Sequence, residues 1–201
     1  MKKVYIVLLS VLAACIYGII HDQITARVCL EYFTITHPPL FPTASTTVLA
    51  LCWGVAATAG IGFMLGVVLA IVSQSGESSP WPISSVMRSI LLLLAVMGAS
   101  AFIAGLVGYG LSAYGVISFP KSLAAAIPEE RHDRFMAVWF AHGASYLTGL
   151  LGAGILCFWI WTARGRPSVL SVFPRTRAGW LRTALLAGIV GCILWFRFSG
   201  Q

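Results

Sequence analysis

The chain has 201 residues, 59% of them apolar and only 9% charged, with a mean hydropathy of +0.90 and a formal net charge of +7. These proportions lie outside the range of water-soluble domains. They exclude an ordinary soluble enzyme, and they exclude a nucleic-acid-binding module too, because the bases are scattered over segment ends rather than gathered in one patch.

A backbone in hydrocarbon satisfies its own polar groups only as a helix or a closed barrel, and barrel segments of alternating polarity are absent. The expected fold class is therefore all-α: a polytopic transmembrane helix bundle forming one integral membrane domain over residues 1–201. About five spans are read, at 4–20, 46–72, 87–114, 135–162 and 178–198. Outer loops are expected at 21–45 and 115–134, and inner loops at 73–86 and 163–177. All nine prolines fall outside the long spans, where helix breakers belong.

The first segment opens "MKKVYIVLLSVLAAC", and Leu12-Ala13-Ala14-Cys15 resembles the processing site of a bacterial lipoprotein signal. The apolar run continues past Cys15 to Ile20, however, long enough for an uncleaved anchor. Beyond Ile20 the pattern predicts a helical extension on the outer face to about Phe33, with Asp22, Thr25 and Cys29 on one side and Glu31 paired to Arg27 one turn earlier. Three prolines between Thr34 and Pro42 then force an extended segment that can return His37 to the bundle.

The second span carries Gly62-x-x-x-Gly66. The third carries Ala101-x-x-x-Gly105 and Ala104-x-x-x-Gly108, and the fourth Ser145-x-x-x-Gly149. Small residues one turn apart let membrane helices approach closely, so these predict a compact bundle. Within the third span, "LVGYG" at 106–110 looks like the selectivity filter of potassium channels, but Leu106 stands where that motif has threonine and the apolar run around it is unbroken. Helix packing accounts for these glycines better than a filter does. The fourth helix is expected to start at Pro128 and to enter lipid after Arg134. The fifth span is the weakest, because its uninterrupted apolar run, Thr183–Phe196, needs Arg182 and Arg197 to snorkel at either end.

Eight Lys and Arg fall on the side of the amino terminus and five on the other, which puts the amino terminus in the cytoplasm and the chain in a bacterial inner membrane as a multi-pass protein. The basic inner face suits anionic lipid headgroups. Trp81, Trp159, Trp161 and Trp180 mark the inner interface. Of the five cysteines, Cys15, Cys52, Cys157 and Cys192 fall inside spans and only Cys29 outside, so no disulfide framework can be drawn.

The histidines and acids are sorted more sharply than the bases. All four histidines and five of six acids belong to the outer half. The positive-inside rule is nearly indifferent to these residue types, so a chemical use at that face is the better account.

At 1.5 Å per residue, His21 lies ~27 Å along from Lys3, just inside the outer boundary, while His142 lies ~12 Å below it. His132 stands ~15 Å higher than His142 on the same helix and cannot share an ion with it.

The expected metal ligands are therefore His21, Asp22 and His142, with Glu31 and His37 folding back over them, and with Asp22 or Glu31 as the general base. Two or three imidazoles with one or two carboxylates suit zinc or non-haem iron. A weaker second cluster, Glu129, His132 and Asp133, has the Glu-x-x-His spacing of di-iron proteins on one helix only. Ser145 and Tyr146 follow His142 but are not counted as its partners.

A metal-dependent hydrolase or oxidoreductase acting on a lipid-like or membrane-proximal substrate is the leading expectation. The alternatives are a non-catalytic membrane subunit or assembly factor, docking through its outer loops or forming a homo-oligomer, and a small proton-linked transporter. No His-Glu-x-x-His or Gly-x-Ser-x-Gly motif is present.

Overall fold

The computed structural model of the chain describes residues 1–75, 79–119 and 121–164. The expected fifth span, at 178–198, lies outside the described residues. Among those described the fold is all-helical: α1 (Lys2–Val28), α2 (Glu31–Ile35), α3 (Thr46–Gln74), α4 (Ile83–Ala113), α5 (Lys121–Ala126), a single 3-10 turn (Glu129–Arg131) and α6 (His132–Ala163). Four of these helices, α1, α3, α4 and the 3-10 turn continued into α6, are long and apolar enough to cross a membrane.

Helices cover four of the five expected spans, mostly with longer ends. α1 runs unbroken through Leu12–Cys15 and past Ile20 to Val28, so His21 and Asp22 lie well inside it. Its last turns stay helical because their polar side chains bond back onto the helix: Thr25 Oγ1 donates to the His21 carbonyl at 3.0 Å, and Arg27 donates to Gln23 Oε1 at 2.6 Å. Arg27 also reaches Thr47 on α3 at 3.0 Å. The extension does not run on to Phe33 as one helix. Cys29 is extended (φ −152°, ψ 104°) and breaks it, and α2 follows as a separate element lying across the end of the bundle. The chain then bends through the prolines and re-enters at α3, whose first turn is capped by Ser45 accepting from the Val48 amide.

The helices are assembled as two antiparallel hairpins. α1 and α3 touch backbone to backbone: a Cβ on Gly62 would lie 2.7 Å from that of Ala14, and one on Gly66 would lie 2.9 Å from the Val7 Cα. α4 and α6 approach in the same way, since a Cβ on Gly108 would lie 2.8 Å from the Met136 carbonyl oxygen. Lipid provides no hydrophobic drive between helices, so close van der Waals contact of this kind is what holds each pair. Gly108 belongs to the "LVGYG" stretch, which is ordinary α-helix inside α4 rather than an extended filter strand.

The hairpins join at the end of the bundle that carries the amino terminus, here the basic end. Ile6, Leu69, Val86, Ile90 and Ile160 from all four long helices are buried together there, beside the edge-to-face pair Trp81–Trp159. At the opposite, acidic end, Cys29, Ile127, Phe135 and Val138 pack under α2 and α5.

Substituting Gly62 or Gly66 with valine is expected to lower stability by about 1–3 kcal/mol through overpacking. Gly60→Ala and Gly154→Ala, where an added Cβ meets nothing within 4 Å, are expected to be neutral or to stabilise by about 0.5–1 kcal/mol. Unfolding of the detergent-solubilised variants by titrated dodecyl sulfate distinguishes the two classes.

Candidate metal centre

His21 and Asp22 are consecutive on α1 and therefore point about 100° apart around it. Both nevertheless face α6, because α1 is gripped by α3 on its glycine side and turns the remaining arc towards the second hairpin. His142 meets them from α6. The two imidazole rings lie edge to face with centroids 4.5 Å apart, and His142 Nε2 is 3.4 Å from Asp22 Oδ1. One ligand atom from each of His21, Asp22 and His142 falls within 4.8 Å of the others, the one such trio of His, Cys, Asp or Glu among the described residues. Two ligands ~2.1 Å from one ion lie at most ~4.2 Å apart, so side-chain shifts of less than about 1 Å would close this set on a metal.

Proton bookkeeping shows what the cluster lacks. His142 Nδ1 lies 3.0 Å from the Val138 carbonyl oxygen, which can only accept, so Nδ1 carries the hydrogen. Nε2 of a neutral ring then presents its lone pair to the Asp22 carboxylate. The two side chains are 4% and 8% exposed, so water cannot separate them. His21 Nε2 is buried as well and has no hydrogen-bond partner. Two imidazoles and a carboxylate thus converge here, and the His21 Nε2 among them is left without a hydrogen-bond partner.

Aromatic rings wall the site. Tyr32 lies over His142 with centroids 4.4 Å apart, and Phe33 approaches the same ring edge-on at 5.7 Å. Tyr17 stacks on His21 at 5.8 Å, with its hydroxyl 2.7 Å from Ser145 Oγ on α6, and Tyr146 meets His142 at 6.0 Å. These tyrosines, with Ser145, are the part of the site that sequence reasoning passed over. The signal was present: Tyr17 and His21, and likewise His142 and Tyr146, are four residues apart, only ~40° around a helix and so on one face.

The other expected ligands are held elsewhere. Glu31 does not join the trio and does not pair with Arg27; it sits 3.6 Å from Arg131 Nε and accepts from the Cys29 thiol at 3.2 Å, because the break at Cys29 swings α2 towards α6. His37 does return to the bundle, but one aromatic layer too high. Its ring packs on Phe33 and Trp53, and its Nδ1 lies 3.1 Å from the Tyr32 carbonyl oxygen.

The second cluster is dispersed. Glu129 lies in the 3-10 turn and His132 begins the α-helix, and they form no potential metal-binding group with Asp133 among the described residues. His132 Nε2 donates to the Ile127 carbonyl at 3.0 Å, and Asp133 accepts from Ser112 at 2.6 Å.

Comparison with protein-family models, with curated proteins and with solved structures finds no match. The chemistry of this site is therefore argued from its own residues.

Below His142 the polar lining continues for two turns of α6. Ser145 binds Tyr17, and Ser100 of α4 donates to Thr148 at 2.9 Å. Further towards the basic end the bundle is filled by Leu93, Ile90, Ile6 and Leu69, with the buried hydroxyls of Ser10 and Ser73.

Above the site, the electrostatics of the α2 segment follow from its burial. Burial, the hydrogen bond to Glu31 and the charge of Glu31 push the Cys29 thiol up to about 12. Burial opposes ionisation of Glu31 too, but its own backbone amide, the Cys29 thiol and the charges of Arg131 and Arg134 outweigh it and hold the carboxyl below its usual value. Burial raises the Tyr32 phenol, with the nearby Tyr146 and Asp22 adding to the rise.

Cys29 is therefore expected to resist iodoacetamide at pH 8.5, where an ordinary thiol is half ionised. Glu31→Ala, which removes both the acceptor and the charge, is expected to raise its alkylation rate several-fold. Peptide mapping by mass spectrometry reads both outcomes, and alkylation of wild-type Cys29 at the rate of a free thiol would contradict the assignment.

Proposed function

We propose that the protein is a membrane-embedded metalloprotein in which His21, Asp22 and His142 bind one divalent ion, zinc or iron. The observation that carries this reading is the convergence of two imidazoles and a carboxylate whose ligand atoms lie within 4.8 Å of one another, with His21 Nε2 buried and without a partner and His142 Nε2 facing Asp22. A metal ion would engage all three groups at once.

Two histidines and one carboxylate leave coordination positions open, which is the pattern of catalytic zinc and of non-haem iron sites rather than of closed structural ones. When bound, such an ion supplies Lewis-acid or redox chemistry. The protein's part is to orient the ligands. The Val138 carbonyl sets the His142 tautomer, and Tyr17, anchored on Ser145, braces the His21 ring.

Asp22 is the acid at the centre, and Glu31, tied to Arg131, is a strut for α2 rather than a base. In this reading the protein is a metal-dependent hydrolase or oxidoreductase working on a lipid-like or membrane-proximal substrate. The bias of Lys and Arg towards the basic end supports a multi-pass topology in a bacterial inner membrane with the acidic end outward.

Purified wild-type protein is expected to carry about one zinc or iron per chain by inductively coupled plasma mass spectrometry. His21→Ala, His142→Ala and Asp22→Asn are each expected to lower that content by about tenfold or more. His37→Ala and His132→Ala, whose rings are engaged elsewhere, are expected to keep it. Added metal should also raise the unfolding temperature of the wild type and not that of His142→Ala, since binding to the folded state alone stabilises by about 2.7 kcal/mol at a hundredfold excess over Kd. Near-zero metal in all variants, with no thermal response, would leave a non-catalytic docking subunit as the better description.

A further inference from the structure

The three candidate ligands are shut off from water. The side chains of His142 and Asp22 are almost fully covered, and His21 Nε2 is buried. A hydrated ion cannot reach them through hydrocarbon, where a charge is strongly disfavoured. Among the described residues the basic end is packed with Ile6, Leu69, Ile90 and Ile160. The acidic end remains, and there the rings lying on His142 are Tyr32 and Phe33 of α2.

α2 is held differently from the long helices. It has five residues, and non-helical chain flanks it on both sides: extended Cys29 before it, and residues 36–45 with three prolines after it. Its backbone bonds stay within the segment, the Phe33 and Thr34 amides donating to the Leu30 carbonyl and the Thr36 amide to Tyr32. At the Cys29 end the chain is fixed, because Cys29 is buried with Ile127, Phe135 and Val138. Beyond it, Phe33 is buried with Ala26, Leu49 and Ala50, and Tyr32 packs on Phe135. The ion pair from α2 to the start of α6 is Glu31–Arg131, 3.6 Å apart and open to solvent on both sides. Such a segment can lift as a body about Cys29 without breaking a backbone hydrogen bond of any long helix.

We propose that α2 is a lid over the His21–Asp22–His142 site, hinged at Cys29 and latched by the Glu31–Arg131 pair, and that water-borne ions reach the three ligands when it lifts. The proposal rests on the metalloprotein reading for what passes under the lid but not for the motion itself. Ring packing makes the closed position the resting one, and the ion pair adds a small, easily released hold. Tyr32 and Phe33, carried on the lid, uncover His142 when it opens and exclude water from it when it closes.

The test uses the full chain in phospholipid nanodiscs. His142→Cys puts a thiol beneath the lid, and its modification by the charged, water-confined reagent trimethylammonium-ethyl methanethiosulfonate is timed by peptide mass spectrometry, with no metal present. Adding Glu31→Ala, which releases the latch, is expected to speed the reaction about two- to fivefold, the range a part-exposed ion pair allows. Exchanging the charges, Glu31→Arg with Arg131→Glu, should restore the slow rate. Adding Gly66→Val instead, which strains the α1–α3 seam far from α2, should leave the rate unchanged. A rate indifferent to Glu31→Ala, one left fast by the charge exchange, or one raised equally by Gly66→Val would overturn the lid, since access would then follow another route or need unfolding of the bundle. In zinc-loaded protein with its native ligands, release of zinc to excess EDTA is expected to quicken by the same factor on Glu31→Ala. Wild type that takes up no zinc would remove the metal reading, while the thiol rates still uphold or overturn the lid.

Discussion

A polar atom inside a membrane has no water to bond to, and the whole molecule is arranged around that lack. Hydroxyls within the spans turn back onto their own helices: Ser10 donates to the Ile6 carbonyl, Thr58 to Gly54 and Ser89 to Ser85. Those that face another helix find a hydroxyl there, as Ser100 finds Thr148 and Tyr17 finds Ser145. Against this background the His21–Asp22–His142 cluster is an exception. Its three ligand atoms face one another within 4.8 Å, and His21 Nε2 is buried without a hydrogen-bond partner. A group of this kind could hold a cation, and that is the basis of the functional reading.

The position of the cluster follows from how the bundle is glued. Glycines bring α1 onto α3 and α4 onto α6 with backbones nearly touching, so each hairpin behaves as a unit. The hairpins meet each other through larger side chains, and polar groups can be accommodated there without loosening a tight seam. At the basic end this junction is filled by Ile6, Leu69, Ile90 and Ile160. At the acidic end it holds the imidazoles, roofed by Tyr32 and Phe33 of α2. The Glu31–Arg131 contact ties that roof to the start of α6; being partly exposed, it contributes ~0–1 kcal/mol, so the aromatic packing beneath it is the larger restraint.

Much of this was legible in the sequence, because hydropathy, depth and small-residue spacing are properties of one dimension. Counting 1.5 Å per residue put His21 just inside the outer boundary and His142 ~12 Å below it, and set His132 apart from both before any helix was paired. The glycine pairs, the helical nature of "LVGYG" and the return of His37 to the bundle were readable for the same reason. The four-residue spacings of Tyr17 to His21 and His142 to Tyr146 were readable too, and were underweighted.

What depended on the tertiary structure was direction. The break at Cys29, which no proline or glycine announces, turns α2 across the bundle, sending Glu31 to Arg131 instead of Arg27. One layer of rings separates His37 from the candidate metal site. His132 is taken up by the Ile127 carbonyl and Asp133 by Ser112, partners that only the packed structure brings to them. Depth is set by the chain and the bilayer, but whether two groups at one depth touch is set by which faces the helices present to one another. That is a matter of packing, which a linear reading does not contain.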